Sequence, residues 1–327
     1  MGVILQIKDL NIDFMIDKNK VHILNNVSLE INENEVLAVI GETGCGKSLT
    51  GNAILHLLPA NAQVSGSIIY DGEEIINMKD EKFRKLRGSE ISAIHQSPST
   101  SLNPLMRVGN QVAECAAYKV NKNEKDSIVK KVNKIFSQLR LPRGEAFYNN
   151  YPCELSGGMC QRVLIAMGII TNPKLLIVDE PTKALDWSLR KEVVEILHDL
   201  KKESKCSMMF ITHDIAAAKY IADRIAVMYC GEVVEIGQTD EVINNPLHPY
   251  TKGLIESMPS RGFKVMKGFM PSFNELPDGC RFSNRCEVKN EDCMKSQPRI
   301  IELTNGHKVK CFNCSSLDIE EGTQICC

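Results

Sequence analysis

Eight consecutive residues constrain this chain more than any others. Gly41-Glu42-Thr43-Gly44-Cys45-Gly46-Lys47-Ser48 places a glycine, four intervening residues and then Gly-Lys-Ser, the pattern of a phosphate-binding loop. The flanks fit the pattern. Val36-Leu37-Ala38-Val39-Ile40 is a short continuous apolar run, as expected of a strand buried on both faces. After the loop, Leu49, Ala53, Leu57 and Leu58 recur at helical spacing as far as Pro59. Strand, glycine loop and helix in succession give the α/β context that such a motif requires. Glycines let successive backbone N–H groups turn inward around phosphates, and the helix N-terminus adds a favourable dipole. In such a loop Lys47 reaches the β- and γ-phosphates of ATP and the Ser48 hydroxyl binds Mg²⁺, with Leu49 beginning the helix beside them.

Two later segments narrow the chemistry. Leu155-Ser156-Gly157-Gly158-Met159-Cys160-Gln161-Arg162 opens a helix whose apolar residues Val163, Ala166, Met167 and Ile170 share a face until Asn172-Pro173 ends it. Small residues at that N-terminus allow close approach of an anion. Next, Lys174-Leu175-Leu176-Ile177-Val178-Asp179-Glu180 reads as a buried strand carrying two carboxylates at its C-terminal end, where ligands bind in open α/β sheets. A third apolar run, Met208-Met209-Phe210-Ile211, leads to Thr212-His213-Asp214.

These segments together resemble the ABC ATPase family, over roughly residues 4–240 and with the motifs in the family's order. The resemblance implies an α/β P-loop NTPase fold, with an ABC-type nucleotide-binding domain over 1–244 and a helical subdomain inserted at about 97–157. It also implies roles. Asp179 holds Mg²⁺ through water, Glu180 is the general base, and His213 is the switch histidine that contacts the γ-phosphate. Gln96 matches the glutamine that touches Mg²⁺ and senses the membrane partner, and Phe14 is a candidate to stack on adenine. Ser156, Gly157, Gly158 and Gln161 of the signature, and Asp186 of the following Pro181–Asp186 loop, face the ATP of a second ATPase subunit, either a copy or a paralogue. Cys160 and Lys183 depart from the residues usual at their positions.

Between the motifs, Ile128, Val129, Val132, Ile135, Phe136 and Leu139 form an amphipathic helical stripe in the segment expected to dock on membrane subunits. Further on, 225–234 reads as a hairpin around Gly231. Ser101-Leu102-Asn103-Pro104, Asn245-Pro246-Leu247-His248-Pro249-Tyr250-Thr251 and Gly279–Cys286 resemble the oligopeptide, dipeptide and nickel importers of that family. A small cysteine-rich C-terminal extension over 245–327 is therefore expected, together with two transmembrane permease subunits and an extracytoplasmic solute-binding protein.

Seven of the 13 cysteines fall between Cys280 and Cys327, a clustering that suggests metal ligation in a reducing compartment. Cys280, Cys286, Cys293 and Cys311 are spaced C-x5-C-x6-C-x17-C, and Cys314 is an alternative fourth ligand. Spacing leaves zinc, iron–sulfur and free thiols open; the resemblance favours a [4Fe–4S] cluster. The terminal pair Cys326-Cys327 is expected to be disordered.

A formal net charge of −2 gives no reason to expect a nucleic-acid partner, and neither a second ATPase domain nor a long coiled-coil insertion supports a soluble ABC ATPase acting on DNA or ribosomes. No apolar run reaches the ~18 residues of a membrane span, and Met1–Leu10 does not read as a signal peptide. The expected location is the cytoplasmic face of the membrane, and the expected role is that of the ATP-hydrolysing subunit of a di- or oligopeptide importer, with nickel or a metal chelate as the alternative cargo.

Overall fold

The structure, a computed structural model, describes residues 2–16, 19–117, 125–183 and 185–314. Ala184 and the Cys326-Cys327 pair lie outside the described residues. The chain forms two compact units, each assembled from separate stretches of sequence.

One unit comprises Leu5–Ile31, Leu37–Ile76 and the chain from Thr212 onward. It contains an antiparallel sheet in the order Asn19–Asn32, Val3–Ile16, Ala62–Tyr70 and Glu73–Glu74. Phe14 pairs with Ala62 in this sheet and is half-buried. The strand Val36–Ile40 is buried throughout and runs parallel to Arg224–Tyr229, with Leu37 opposite Arg224 and Ile40 opposite Val227. Burial on both faces explains why its sequence is continuously apolar rather than alternating.

Arg224–Tyr229 turns back into Glu232–Gln238 through Cys230 and Gly231, both at positive φ (44° and 77°). Positive φ at two central residues is the geometry whose twist suits a two-residue hairpin. Gly231 is required on a second count: a Cβ there would lie 1.6 Å from the Ile23 carbonyl oxygen. Later segments of the chain then add to the same sheet. Lys308–Val309 pairs antiparallel with Ile236 and Glu235, and Ile301–Glu302 pairs with Lys308–Val309. Edge N–H and C=O groups at Val234–Ile236 are thereby covered by the chain's own C-terminal segment.

The other unit comprises Met1–Ile4, Asn32–Val36 and Asn77–Ile211. Leu175–Asp179 lies between Ile91–Ile94 and Ser207–Thr212, parallel to both. Helix Gly157–Ile169 packs on Ile91–Ile94 and on the helices Val108–Ala117 and Lys125–Gln138. Val132, Ile135, Phe136 and Leu139 are buried, and Phe136 meets Phe147 edge-on at 5.1 Å. Val129, expected in the buried stripe, is 39% exposed. It lies to one side of the face defined by 132, 135, 136 and 139, so the stripe is narrower than its sequence suggested.

The helix after the phosphate loop is also shorter than its apolar spacing implied. It spans Lys47–Ile54, His56 takes φ 52°, and Leu57 is largely exposed. A non-glycine residue at positive φ closes the helix before the last two leucines can join its face.

Candidate functional site: the nucleotide-binding residues

In the unit that holds the phosphate loop, Lys47 is 4% exposed and its Nζ donates to the carbonyl oxygens of Gly41 (2.8 Å) and Glu42 (2.9 Å). A buried ammonium satisfied by loop carbonyls is poised to exchange them for phosphate oxygens. Gly46 sits at φ 110°, and a Cβ there would lie 2.5 Å from Leu24 Cδ2. Both the conformation and the close approach exclude a side chain. Cys45 is fully buried beneath the loop, and burial pushes its thiol pKa up, so it behaves as a small hydrophobe. Ser48 and Leu49 occupy the first turn of helix Lys47–Ile54, while Thr43 and Gly44 form the outer bend of the loop.

Glu42 is held from three sides. Its carbonyl accepts from Lys47, its N–H donates to the Tyr250 hydroxyl at 2.9 Å, and its carboxylate pairs with the Arg285 guanidinium at 3.0 Å. Tyr250 and Arg285 both lie in the C-terminal part of the chain. The motif reading missed this contact, and no sequence signal other than the resemblance of the 245–251 and 279–286 segments could have pointed to it.

His213 is exposed and follows Thr212 directly. Its position is fixed by its neighbours: the Thr212 hydroxyl accepts the Asp214 N–H (3.0 Å), and the Asp214 carboxylate caps helix Ile215–Ile221 by accepting from Ala217 N–H (3.0 Å).

In the other unit, Asp179 ends its strand half-buried, and Glu180 follows at φ 43° and 6% exposed. A left-handed glutamate is a strained conformation, held here by the Glu180 N–H donating to Ile211 O at 2.9 Å. The turn brings Gln96 and Glu180 together: Gln96 Nε2 donates to Glu180 Oε2 at 3.2 Å, and Lys183 Nζ lies 3.5 Å from the same oxygen. Lys183, an unusual residue by its motif, thus gives the carboxylate a cationic neighbour.

The signature splits into an outward and an inward part. Ser156 and Gly157 are exposed, and the Ser156 hydroxyl caps helix Gly157–Ile169 by accepting from Met159 N–H. Gly158 is buried against Leu189, where a Cβ would come within 2.8 Å of Leu189 Cδ2. Gln161 is 0% exposed, with no hydrogen-bond partner for its amide among the described residues. It is a full helical turn beyond the glycines, on the face that packs inward. Cys160 is half-buried, its thiol directed at Pro152 O (3.6 Å) with its pKa raised by burial. Asp186 is exposed and caps helix Trp187–Glu203, and its bonds from Leu189 N–H and the Ser188 hydroxyl hold its carboxyl below the usual range.

The cysteines expected to bind a cluster do not form a ligand set as placed: among the described residues no group of three or more His, Cys, Asp or Glu side chains is disposed to hold a metal ion. Cys311 and Cys314 instead pack with Ile301 and Val309 in an apolar cluster. Cys314 hydrogen-bonds Cys311, and that bond lowers the Cys311 thiol pKa while raising its own. Burial raises Cys280 to about 11, and Cys293, Cys311 and Cys286 add to the rise.

Similarity to known proteins agrees with this geometry. The ABC transporter family profile matches residues 24–183, and the profile for the oligopeptide/dipeptide transporter C-terminal region matches 234–293. The oligopeptide transport ATP-binding protein AppD of Bacillus subtilis is 37% identical, with 99% of each chain covered. The dipeptide transport ATP-binding protein DppD of Caldanaerobacter subterraneus subsp. tengcongensis is 38% identical over 95% of this chain and 97% of its own. Among solved structures, a dimeric ATP-binding cassette in a post-hydrolysis state bound to ADP and Pi is 27% identical, with a TM-score of 0.64 over 72% of this chain and 98% of that one. Whole-length similarity, the phosphate loop held by Lys47 and the C-terminal region lead to one conclusion: the chain belongs to the ABC transporter ATP-binding proteins, in the oligopeptide/dipeptide transporter group.

Proposed function

We propose that this chain is the ATP-hydrolysing subunit that energises an ABC importer of di- or oligopeptides. The observation that carries the reading is the match of both segments, the ATPase region and the C-terminal region at 234–293, to proteins named for oligopeptide or dipeptide transport. Nickel or a metal chelate is the second reading, resting on the resemblance of residues 101–104, 245–251 and 279–286 alone.

The residues divide the work of hydrolysis, which is mostly positioning and charge stabilisation. The loop amides from Gly41 to Ser48 and the Lys47 ammonium hold the phosphates, with Phe14 offered to the adenine. Ser48, Gln96 and Asp179 would, by the family resemblance, offer oxygen donors of the kind that Mg²⁺ takes, and the ion would neutralise phosphate charge. Glu180, with Lys183 beside it and Gln96 donating to its carboxylate, takes a proton from the attacking water. His213 orients that water against the γ-phosphate. Exposed Ser156, Gly157 and Asp186 are the surface that a second ATPase subunit's nucleotide would meet; buried Gly158 and Gln161 support it from within. Residues 1–244 act as the nucleotide-binding domain and 245–327 as its extension.

The partners that follow are a second ATPase subunit, two transmembrane permeases and a solute-binding protein. No helix among the described residues is long and apolar enough to cross a membrane, which accords with peripheral attachment through those permeases. A [4Fe–4S] cluster on Cys280, Cys286, Cys293 and Cys311 is the finer reading of the tail. It rests on the resemblance of the 279–286 segment alone, since no ligand set is formed among the described residues, and no step of the ATP cycle is assigned to it.

The test is ATPase activity of the chain assembled with its membrane subunits in vesicles, with solute-binding protein and either peptide or nickel. Stimulation by peptide, abolished by at least about 100-fold in Glu180→Gln, is expected. Stimulation by nickel alone would replace the peptide reading, and activity independent of any permease would refute both.

A further inference from the structure

The phosphate loop of this chain is clamped by its own C-terminal extension. Arg285 has a side chain 6% exposed, and its Nη1 reaches both Glu42 carboxylate oxygens, at 3.0 and 3.1 Å. The guanidinium is fixed on other sides as well. Its Nε donates to Lys267 O at 3.2 Å, and its carbon lies 5.7 Å from the Tyr229 ring and 5.8 Å from the Phe282 ring. Tyr229, Tyr250 and Phe282 pack against one another with centroids 4.6 to 5.5 Å apart, so the tyrosine that accepts the Glu42 N–H belongs to the same cluster. Four residues earlier, Arg281 donates to Cys230 O and pairs with Glu232 at 3.2 Å. The next residue after Cys230, Gly231, donates its N–H to Cys45 O at 2.8 Å. Two arginines of one short segment therefore grip the phosphate loop, one directly and one through the hairpin turn.

We infer that Arg285 is a positioning residue for ATP, acting through Glu42. The physical reason is charge. Glu42 puts a carboxylate into the loop whose task is to receive a polyanion, and a carboxylate there repels phosphate unless a cation is held against it. A planar guanidinium buried on two aromatic rings supplies that cation in fixed geometry. With Arg285 in place, Glu42 serves as an anchor for the loop; without it, the same side chain opposes nucleotide.

The inference rests on the ATP-binding reading above, and the experiment separates the two. Equilibrium binding of a fluorescent, non-hydrolysable ATP analogue with Mg²⁺ is measured on the full chain, alongside KM and kcat in the assembled transporter. Arg285→Ala is expected to weaken analogue binding about tenfold, as a screened unit charge near the loop would. KM should rise to match, and kcat at saturating ATP should fall by less than about threefold. Adding Glu42→Gln to Arg285→Ala is expected to restore most of the affinity, because the repelling charge is gone. Arg285→Lys, which keeps the charge but loses the stacked planar group, is expected to bind the analogue more weakly than the parent and more tightly than Arg285→Ala. An Arg285 that only staples the extension would lower the melting temperature, and Glu42→Gln would not rescue its loss. Persistence of the defect in the double variant, or unchanged binding in folded Arg285→Ala, would overturn the inference. A parent chain that binds no ATP analogue would instead refute the ATP-binding reading itself.

Discussion

Glu235 is the polar node that ties the segments around residues 247–248 and 307 to strand Glu232–Gln238, and replacing it with alanine is the most informative stability test. Its side chain is 0% exposed, and three donors converge on its carboxylate: His307 Nε2 (2.8 Å), Leu247 N–H (2.9 Å) and His248 N–H (2.8 Å). Its backbone meanwhile pairs with Val309 of the extension. Glu235→Ala strands all three donors in a dry interior, while relieving the carboxylate of its own desolvation. Removing one partner of a buried, hydrogen-bonded charge costs about 3–5 kcal/mol on balance. At about 2–4 °C per kcal/mol, the melting temperature should drop by roughly 6–20 °C. Glu235→Gln, which keeps one acceptor oxygen, should lose about half as much. Thermal unfolding by circular dichroism gives the shift, and trypsin cleavage at Lys252, Lys264 and Lys267 should accelerate as the extension loosens. A fall of under about 2 °C with unchanged proteolysis would refute the idea that this carboxylate joins the two segments.

Three further outcomes are expected. Lys47→Ala should weaken ATP binding at least about 30-fold by equilibrium binding, since one partner of a buried charge contact is lost. His248 is wholly buried, and its pKa is lowered to about 4 by burial, with its Nδ1 accepting the Tyr250 N–H. The neutral ring is favoured by folding, so its contribution is complete above pH 6.5 and about 3 kcal/mol is lost as pH falls through the window from 6.5 to 4, a loss that His248→Asn should remove from the pH profile of denaturant unfolding. Gly231→Ala, forced to φ 77° with its Cβ on Ile23 O, should be destabilised by more than about 3 kcal/mol or fail to accumulate as soluble protein.

The motifs were legible because phosphate chemistry dictates residue type and local spacing. The loop 41–48, the carboxylates 179 and 180 and the helix opening at Gly157 are each short-range patterns, and each sits in the local structure that its flanks imply. Helix and stripe limits were less legible, as Leu57 and Val129 show, because a backbone turn at His56 or the angle of a packing face leaves no periodic trace. The inward turn of Gln161 was likewise invisible: one helical position separates a ligand-facing amide from a buried one. The cysteine spacing pointed to metal, yet the positions of Cys311 and Cys314 in an apolar cluster are not a property of spacing. The sequence by itself therefore determined the chemistry, through local patterns that a strand, loop or helix displays within a few residues. Only the tertiary structure decided that Tyr250 and Arg285 hold Glu42, and that Glu235 joins His248 to His307. These contacts span from 13 to 243 positions in the chain, and hydrogen bonds and ion pairs at such separations depend on how elements pack rather than on any repeat in the sequence.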